Sequence, residues 1–204
     1  MGTRHLIIAI IDKKVKIAQY GQWDGYLQGQ GIKVVDFIQE ANLRLFKKRL
    51  RECMFLSSRS VRYRWKKVGA IGEWLTMEQS NKFRELYPEL SRDTGAEILD
   101  LVHFYEKRKL VNAIGFAAES LFCEWAYVLN MDRNVLEIYK GFNSEPLKKR
   151  ERFYNLQCNG PILSHDKKSK YYPIKCIAKI PFKEATREKL IELDKKLQAE
   201  KEED

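Results

Sequence analysis

The chain has 204 residues, a formal net charge of +10, 44% hydrophobic residues and 12% aromatic ones. That length suits one domain with an ordinary core, and the composition is that of a globular chain rather than a disordered one. No apolar run approaches the ~18 residues of a membrane span. The start, Met1-Gly2-Thr3-Arg4-His5, lacks the pattern of a secretory leader, so a soluble protein in the cytoplasm is the expectation.

In chain order, His5 to Ile11 is apolar and β-branched, Asp12-Lys13-Lys14 can turn, and Val15 to Tyr20 alternates, which predicts a hairpin. A glycine-rich loop follows from Gly21 to Gly31. Apolar residues then recur at helical spacing from Lys33 to about Met54, predicting one amphipathic helix. Arg62-Tyr63-Arg64-Trp65-Lys66-Lys67 interleaves cations with rings; in a strand, Arg62, Arg64 and Lys66 would share one face. Thr76 opens a helix that should stop before Pro88, and Thr94 with Glu97 forms a capping-box pattern ahead of another. Phe116 to Phe122 suggests a short helix.

A second hairpin is predicted from Trp125–Leu129 and Val135–Tyr139 around Met131-Asp132-Arg133-Asn134. A last strand is expected within Tyr171 to Phe182, after a loop containing Gly160-Pro161 and Lys167-Lys168. A charged helix should cover 184–204. Two hairpins and a C-terminal strand cannot stand alone, so the expected fold is α+β: one mostly antiparallel sheet covered by helices, a single domain over 1–204.

Charge is concentrated. Ten cations from Arg44 to Lys67 face the single acid Glu52, a net +9 and nearly the whole excess. Such localisation points to an anionic partner: a nucleotide, a nucleic acid or an acidic protein surface. Cys53, Cys123, Cys158 and Cys176 lie far apart, and His5, His103 and His165 add no zinc spacing. Reduced, structural cysteines are expected, with no metal and no cofactor.

Three constellations bear on chemistry. The loop from Gly21 to Gly31 combines backbone freedom at Gly25, Gly29 and Gly31 with ring faces at Trp23 and Tyr26 and a carboxylate at Asp24. A helix N-terminus follows it, which suits an anion, although the spacing matches no dinucleotide or phosphate-loop fingerprint. The plain alternative is a tight loop that completes the core. Asp93-Thr94-Gly95-Ala96 copies the aspartic-protease tetrapeptide, but no apolar strand feeds it, so a helix cap is the expectation. Thr3 ahead of a hairpin is the context of an N-terminal nucleophile hydrolase, with Arg4 and Asp24 near it, and Gly2-Thr3 resembles the processing junction of proteasome β-subunits.

Gly2-Thr3-Arg4, Gln19-Tyr20-Gly21-Gln22-Trp23-Asp24-Gly25-Tyr26, Asp93-Thr94-Gly95-Ala96 and Ser120-Leu121-Phe122-Cys123-Glu124-Trp125-Ala126-Tyr127-Val128 together resemble a family of tailed-phage and prophage proteins without an assigned activity. Leu27 departs from it, where a proline often stands. The resemblance implies a small accessory protein that counters host defence. The functional expectation is therefore a non-enzymatic binder of a phosphorylated ligand, nucleotide signal or nucleic acid. In it Trp23 and Tyr26 stack, Arg62 and Arg64 meet phosphate, and Asp24 takes a polar group. A hydrolase using Thr3 and an inhibitor of a host protein are the alternatives.

Overall fold

In this computed structural model, which describes residues 2–72, 74–159, 162–163 and 170–202, the strands in chain order are β1 (His5–Ile11), β2 (Lys14–Gly21), β3 (Met54–Phe55), β4 (Lys109–Leu110), β5 (Trp125–Asn130), β6 (Val135–Lys140), β7 (Ile162–Leu163), β8 (Lys170–Tyr171) and β9 (Lys175–Pro181). The α-helices are α1 (Ile32–Glu40), α2 (Leu43–Arg51), α3 (Ser58–Lys67), α4 (Met77–Leu86), α5 (Glu97–His103) and α6 (Arg187–Glu202). None of them is long and apolar enough to cross a membrane.

The main sheet has the order β2-β1-β5-β6-β9. Both predicted hairpins form, and β9 closes the far edge antiparallel to β6. The hairpins meet through β1 and β5, which run parallel from His5 beside Trp125 to Ile10 beside Asn130. Every residue of β1 is buried, as expected of a strand covered on both faces. The fold is thus α+β with a mostly antiparallel sheet.

Side chains alternate across β1. Ile7, Ala9 and Ile11 join Tyr127, Leu129, Leu136 and Ile138 in a core beneath α1, α2, α5 and α6. Leu6, Ile8 and Ile10 join Ala126, Val128 and Tyr139 on the opposite face, covered by 3₁₀ turns and irregular chain that bring in Ala117, Leu147 and Phe153. A third, small cluster of Val68, Phe83 and Leu90 sits under α3 and α4.

The first hairpin turns through Asp12 and Lys13, both with positive φ (52° and 59°). Neither is glycine, so the conformation needs support. Asp132 in the second hairpin's turn supplies it, accepting both backbone N–H groups at 2.8 Å.

Several local expectations are corrected. The single helix expected from Lys33 to Met54 is two, because Ala41 adopts an extended conformation and the Asn42 side chain accepts the Leu45 N–H to cap α2. Apolar periodicity continues on both pieces, so it could not show the break. The expected strand at Arg62–Lys67 is the second half of α3, capped by Ser57, which accepts the Ser60 N–H. Thr94 makes no capping box; its hydroxyl donates to the Pro88 carbonyl, and the Ala96 N–H is taken by Gln30 Oε1 at 2.8 Å. The helix expected at Phe116–Phe122 is a 3₁₀ turn over Ile114–Ala118. The last strand begins at Lys175, past Pro173, with Lys170–Tyr171 paired separately to β7. Thr76 does form its capping box with Gln79. Gly160-Pro161, His165, Lys167-Lys168 and the last two residues lie outside the described residues, as does the side chain of Cys158. Cys53, Cys123 and Cys176 are free thiols.

Phe46 of α2 is fully buried against Phe37, ring centroids 4.8 Å apart, and against His103. Phe46→Ala is expected to cost about 3–5 kcal/mol of unfolding free energy, read by chemical denaturation; a loss below about 1 kcal/mol would place the helical layer outside the cooperative core.

Candidate nucleic-acid interface

The ten cations between Arg44 and Lys67 separate into two groups. Those of α2 are largely engaged: Arg51 pairs with Asp12 at 2.8 Å, Arg49 with Glu106 at 2.8 Å, and Lys47 reaches Asn134 at 2.9 Å. Just beyond, Glu52 pairs with Arg108. These contacts fasten α2 to the β1–β2 turn, the β5–β6 turn and the chain after α5. Much of the charge that suggests a partner is therefore used inside the molecule.

In α3 the arrangement differs. Val61, Arg64 and Trp65 are half-buried, facing the small cluster with Tyr87 and Val111. Arg64 donates to the Ser60 carbonyl at 2.9 Å and its guanidinium lies 5.8 Å from the Tyr87 ring centroid. Arg59, Arg62, Tyr63 and Lys66 are exposed and recur at spacings of three and four, so they form one face of the helix. The face is about 10 Å long, from the seven steps between Arg59 and Lys66 at about 1.5 Å rise each. Lys67 adds its ammonium 5.2 Å from the Tyr63 ring centroid. No acidic residue occurs in α3.

Arg59 stands in the first turn, where the helix dipole disfavours a cation, and like charges three and four apart repel by a few tenths of a kcal/mol. Helix stability does not call for this face.

Beside it runs a groove of about 650 Å³, walled by Leu56, Val61, Trp65, Trp74 and Val111. It shares Ser58 and Arg62 with the cationic face. Trp74 is 86% exposed, and Ile71 and Met77 flank it with their side chains in solvent. Two indole rings next to a row of cations can stack bases while phosphates are neutralised alongside.

In the glycine loop, several glycines make room for other parts of the protein. A Cβ on Gly21 would lie 2.1 Å from the His5 ring, one on Gly29 2.2 Å from the Asp24 carbonyl oxygen, and one on Gly31 2.9 Å from the Tyr127 hydroxyl. These glycines admit other parts of the protein. Gly25 donates to the Thr3 carbonyl at 2.9 Å, and its own carbonyl accepts from the buried Tyr127 hydroxyl at 2.8 Å. Leu27–Gly31 winds as a π-helical turn, and Gln30 ties it to Trp23 and Ala96. Trp23 and Tyr26 are partly exposed, and the Trp23 ring donates to Asp93 at 3.0 Å. Asp24 is exposed, with φ of +56°.

Thr3 and Arg4 reach the same end of the sheet, so Thr3, Arg4, Asp24 and Asp93-Thr94-Gly95-Ala96 are brought together. Arg4 lies 5.2 Å from the Phe122 ring centroid, and Gly2 is packed on the Trp23 ring. Arg62 and Arg64, grouped with this loop on sequence grounds, belong to α3, whose contacts run to Tyr87, Ser57 and Ser60. Moreover, Arg64 leaves the exposed face on which Arg62 stands. Sequence reading placed Lys66 with Arg62 but missed Arg59 and the groove that Trp65 and Trp74 line together. The helical spacing of Arg59, Arg62 and Lys66 behind a Ser57-x-x-Ser60 cap was the available signal.

His5 is the chemically unusual group here. It is buried, neither ring nitrogen has a well-formed hydrogen-bond partner among the described residues, and burial lowers its pKa to about 4. The Thr3 backbone opposes that shift, and Lys33 adds to it. His103, buried against Phe37, Phe46 and Phe104, is lowered by burial too.

A scan against protein-family models finds no match, and comparisons with curated proteins and with solved structures find none either.

Because folded His5 stays neutral down to about pH 4 while the unfolded chain takes up the proton near 6.5, its contribution to stability is present above 6.5 and is lost as pH falls from 6.5 to 4. The expected slope is up to about 1.4 kcal/mol per pH unit. Denaturation of wild type and His5→Asn across this range should show the slope reduced in the variant; parallel curves would mean that His5 is protonated in the fold.

Proposed function

We propose that this protein is a non-enzymatic, single-stranded nucleic-acid-binding protein that works through α3 and the adjoining tryptophan groove. The supporting observation is the junction itself: the Arg59–Arg62–Lys66 face and the groove between Trp65 and Trp74 share Ser58 and Arg62, so phosphates and bases of one strand have adjacent seats. The cations supply affinity, and stacking supplies tolerance of sequence. The resemblance to phage proteins fits a role in the cytoplasm of an infected cell, where such a binder would sequester or shield nucleic acid from a host defence system.

Fluorescence anisotropy with labelled oligo(dT) at several salt concentrations checks this. Arg59→Ala with Lys66→Ala should weaken binding at least about tenfold and flatten the log–log salt slope by roughly 1.4, about 0.7 for each phosphate contact removed. Trp74→Ala should cost about 1–3 kcal/mol with little change in slope. Unchanged affinity and slope in the double variant would refute the proposal.

A further inference from the structure

At the other end of the sheet, where the hairpin turns gather, the structure has a cavity of about 750 Å³ on the face opposite α1 and α2. Its wall holds the buried carboxylate Glu137, which accepts from Arg152 through Nε (2.9 Å) and a second guanidinium nitrogen, from the Tyr139 hydroxyl at 2.7 Å and from Asn130 at 3.2 Å. Burial alone would raise the Glu137 carboxyl, but these donors outweigh it and hold it below the usual carboxylate range. Glu137 is therefore an anion that neutralises Arg152 and fixes its planar fork in the cavity wall.

Around this pair stand Lys13, Arg133, Arg150 and Lys179, all exposed and none paired with a carboxylate among the described residues. Three further acids line the same cavity, one paired with a cation and two bonded to neutral backbone donors and still charged. Asp12 is held by Arg51, Asp132 accepts the Asp12 and Lys13 backbone N–H groups, and Glu151 accepts the Lys148 N–H. The β5–β6 turn does not need the Arg133 side chain, since it is the Arg133 backbone that bonds to Asn130. Leaving out Asp12, which Arg51 holds, five cations face the three carboxylates Asp132, Glu137 and Glu151, an excess of two positive charges that a bound anion would offset.

We propose that this cavity is a second binding site, specific for a compact phosphorylated small molecule whose phosphates lie among Arg133, Arg150, Arg152 and Lys179. Arg133 and Arg150 have forks that match phosphate oxygens in pairs, whereas the Arg152 fork is engaged by Glu137 and offers only its remaining N–H groups. The volume falls within the range of small-molecule sites. The wall offers Ile10 and Cys176 but no exposed ring, so it is suited to a phosphate-rich ligand rather than to base stacking, which distinguishes it from the α3 groove.

Titration calorimetry with inorganic pyrophosphate at low salt tests the site. Wild type should bind one pyrophosphate, citrate should bind at least about tenfold more weakly, and Arg133→Ala with Arg150→Ala, both exposed, should weaken pyrophosphate at least about tenfold. Arg59→Ala with Lys66→Ala should leave it unchanged, whether or not that variant loses oligonucleotide. The proposal is overturned by no wild-type binding at about 1 mM pyrophosphate, by citrate binding as tightly, or by an equal loss in the α3 variant.

Discussion

Parallel pairing of β1 with β5 joins two hairpins that could not fold separately, and the remaining architecture follows from it. Because the central strands run the same way, the starts of β1 and β5 and the ends of β2 and β6 lie at one end of the sheet. Thr3, the Gly21–Gly31 loop, Glu124 and Gly141 meet there. The two hairpin turns meet at the opposite end, where Asp132 reaches across to Asp12 and Lys13. The same pairing buries both faces of β1 and leaves helices to cover one side and irregular chain the other.

Charge then divides by function. Asp12 of the first hairpin turn, Asn134 of the second and Glu106 between α5 and β4 meet the cations of α2 and help hold that helix in place. The cations of α3 and those around Glu137 converge instead on a helix face and a cavity. Net charge alone does not say which cations are used inside the molecule; the pairing pattern does. A basic segment that reads as uniform in the sequence divides between the paired cations of α2 and the exposed face of α3.

Strands were the most legible feature, since runs such as His5–Ile11 and Trp125–Leu129 have one reading and the hairpin turns are short. Helix boundaries were less so. Asn42 ends one helix by capping the next, and periodicity is blind to that. Arg62–Lys67 alternates convincingly as a strand but folds as a helix, because Ser57 provides a cap and Val61, Arg64 and Trp65 find a common buried side. The glycine loop drew attention as a ligand cradle because composition shows backbone freedom without showing what fills the space; the His5 ring and the Tyr127 hydroxyl fill much of it. The cavity beside Glu137 was invisible for another reason: its residues come from β1, two turns, β5, β6, the 150–152 segment and β9, far apart in the chain.

The small cluster beneath α3 and α4 has a consequence for how the molecule moves. Val68, Phe83 and Leu90 are its only fully buried members among the described residues, against more than two dozen in the core under the helical face of the sheet. A unit so lightly anchored opens at lower free energy than the sheet, so its amides exchange with solvent while those of β1 and β5 remain closed. Helix α3 is therefore a local equilibrium laid over a rigid base. A strand seated along it would draw its binding energy partly against the ordering of that unit, which makes protection of the α3 amides a direct measure of occupancy.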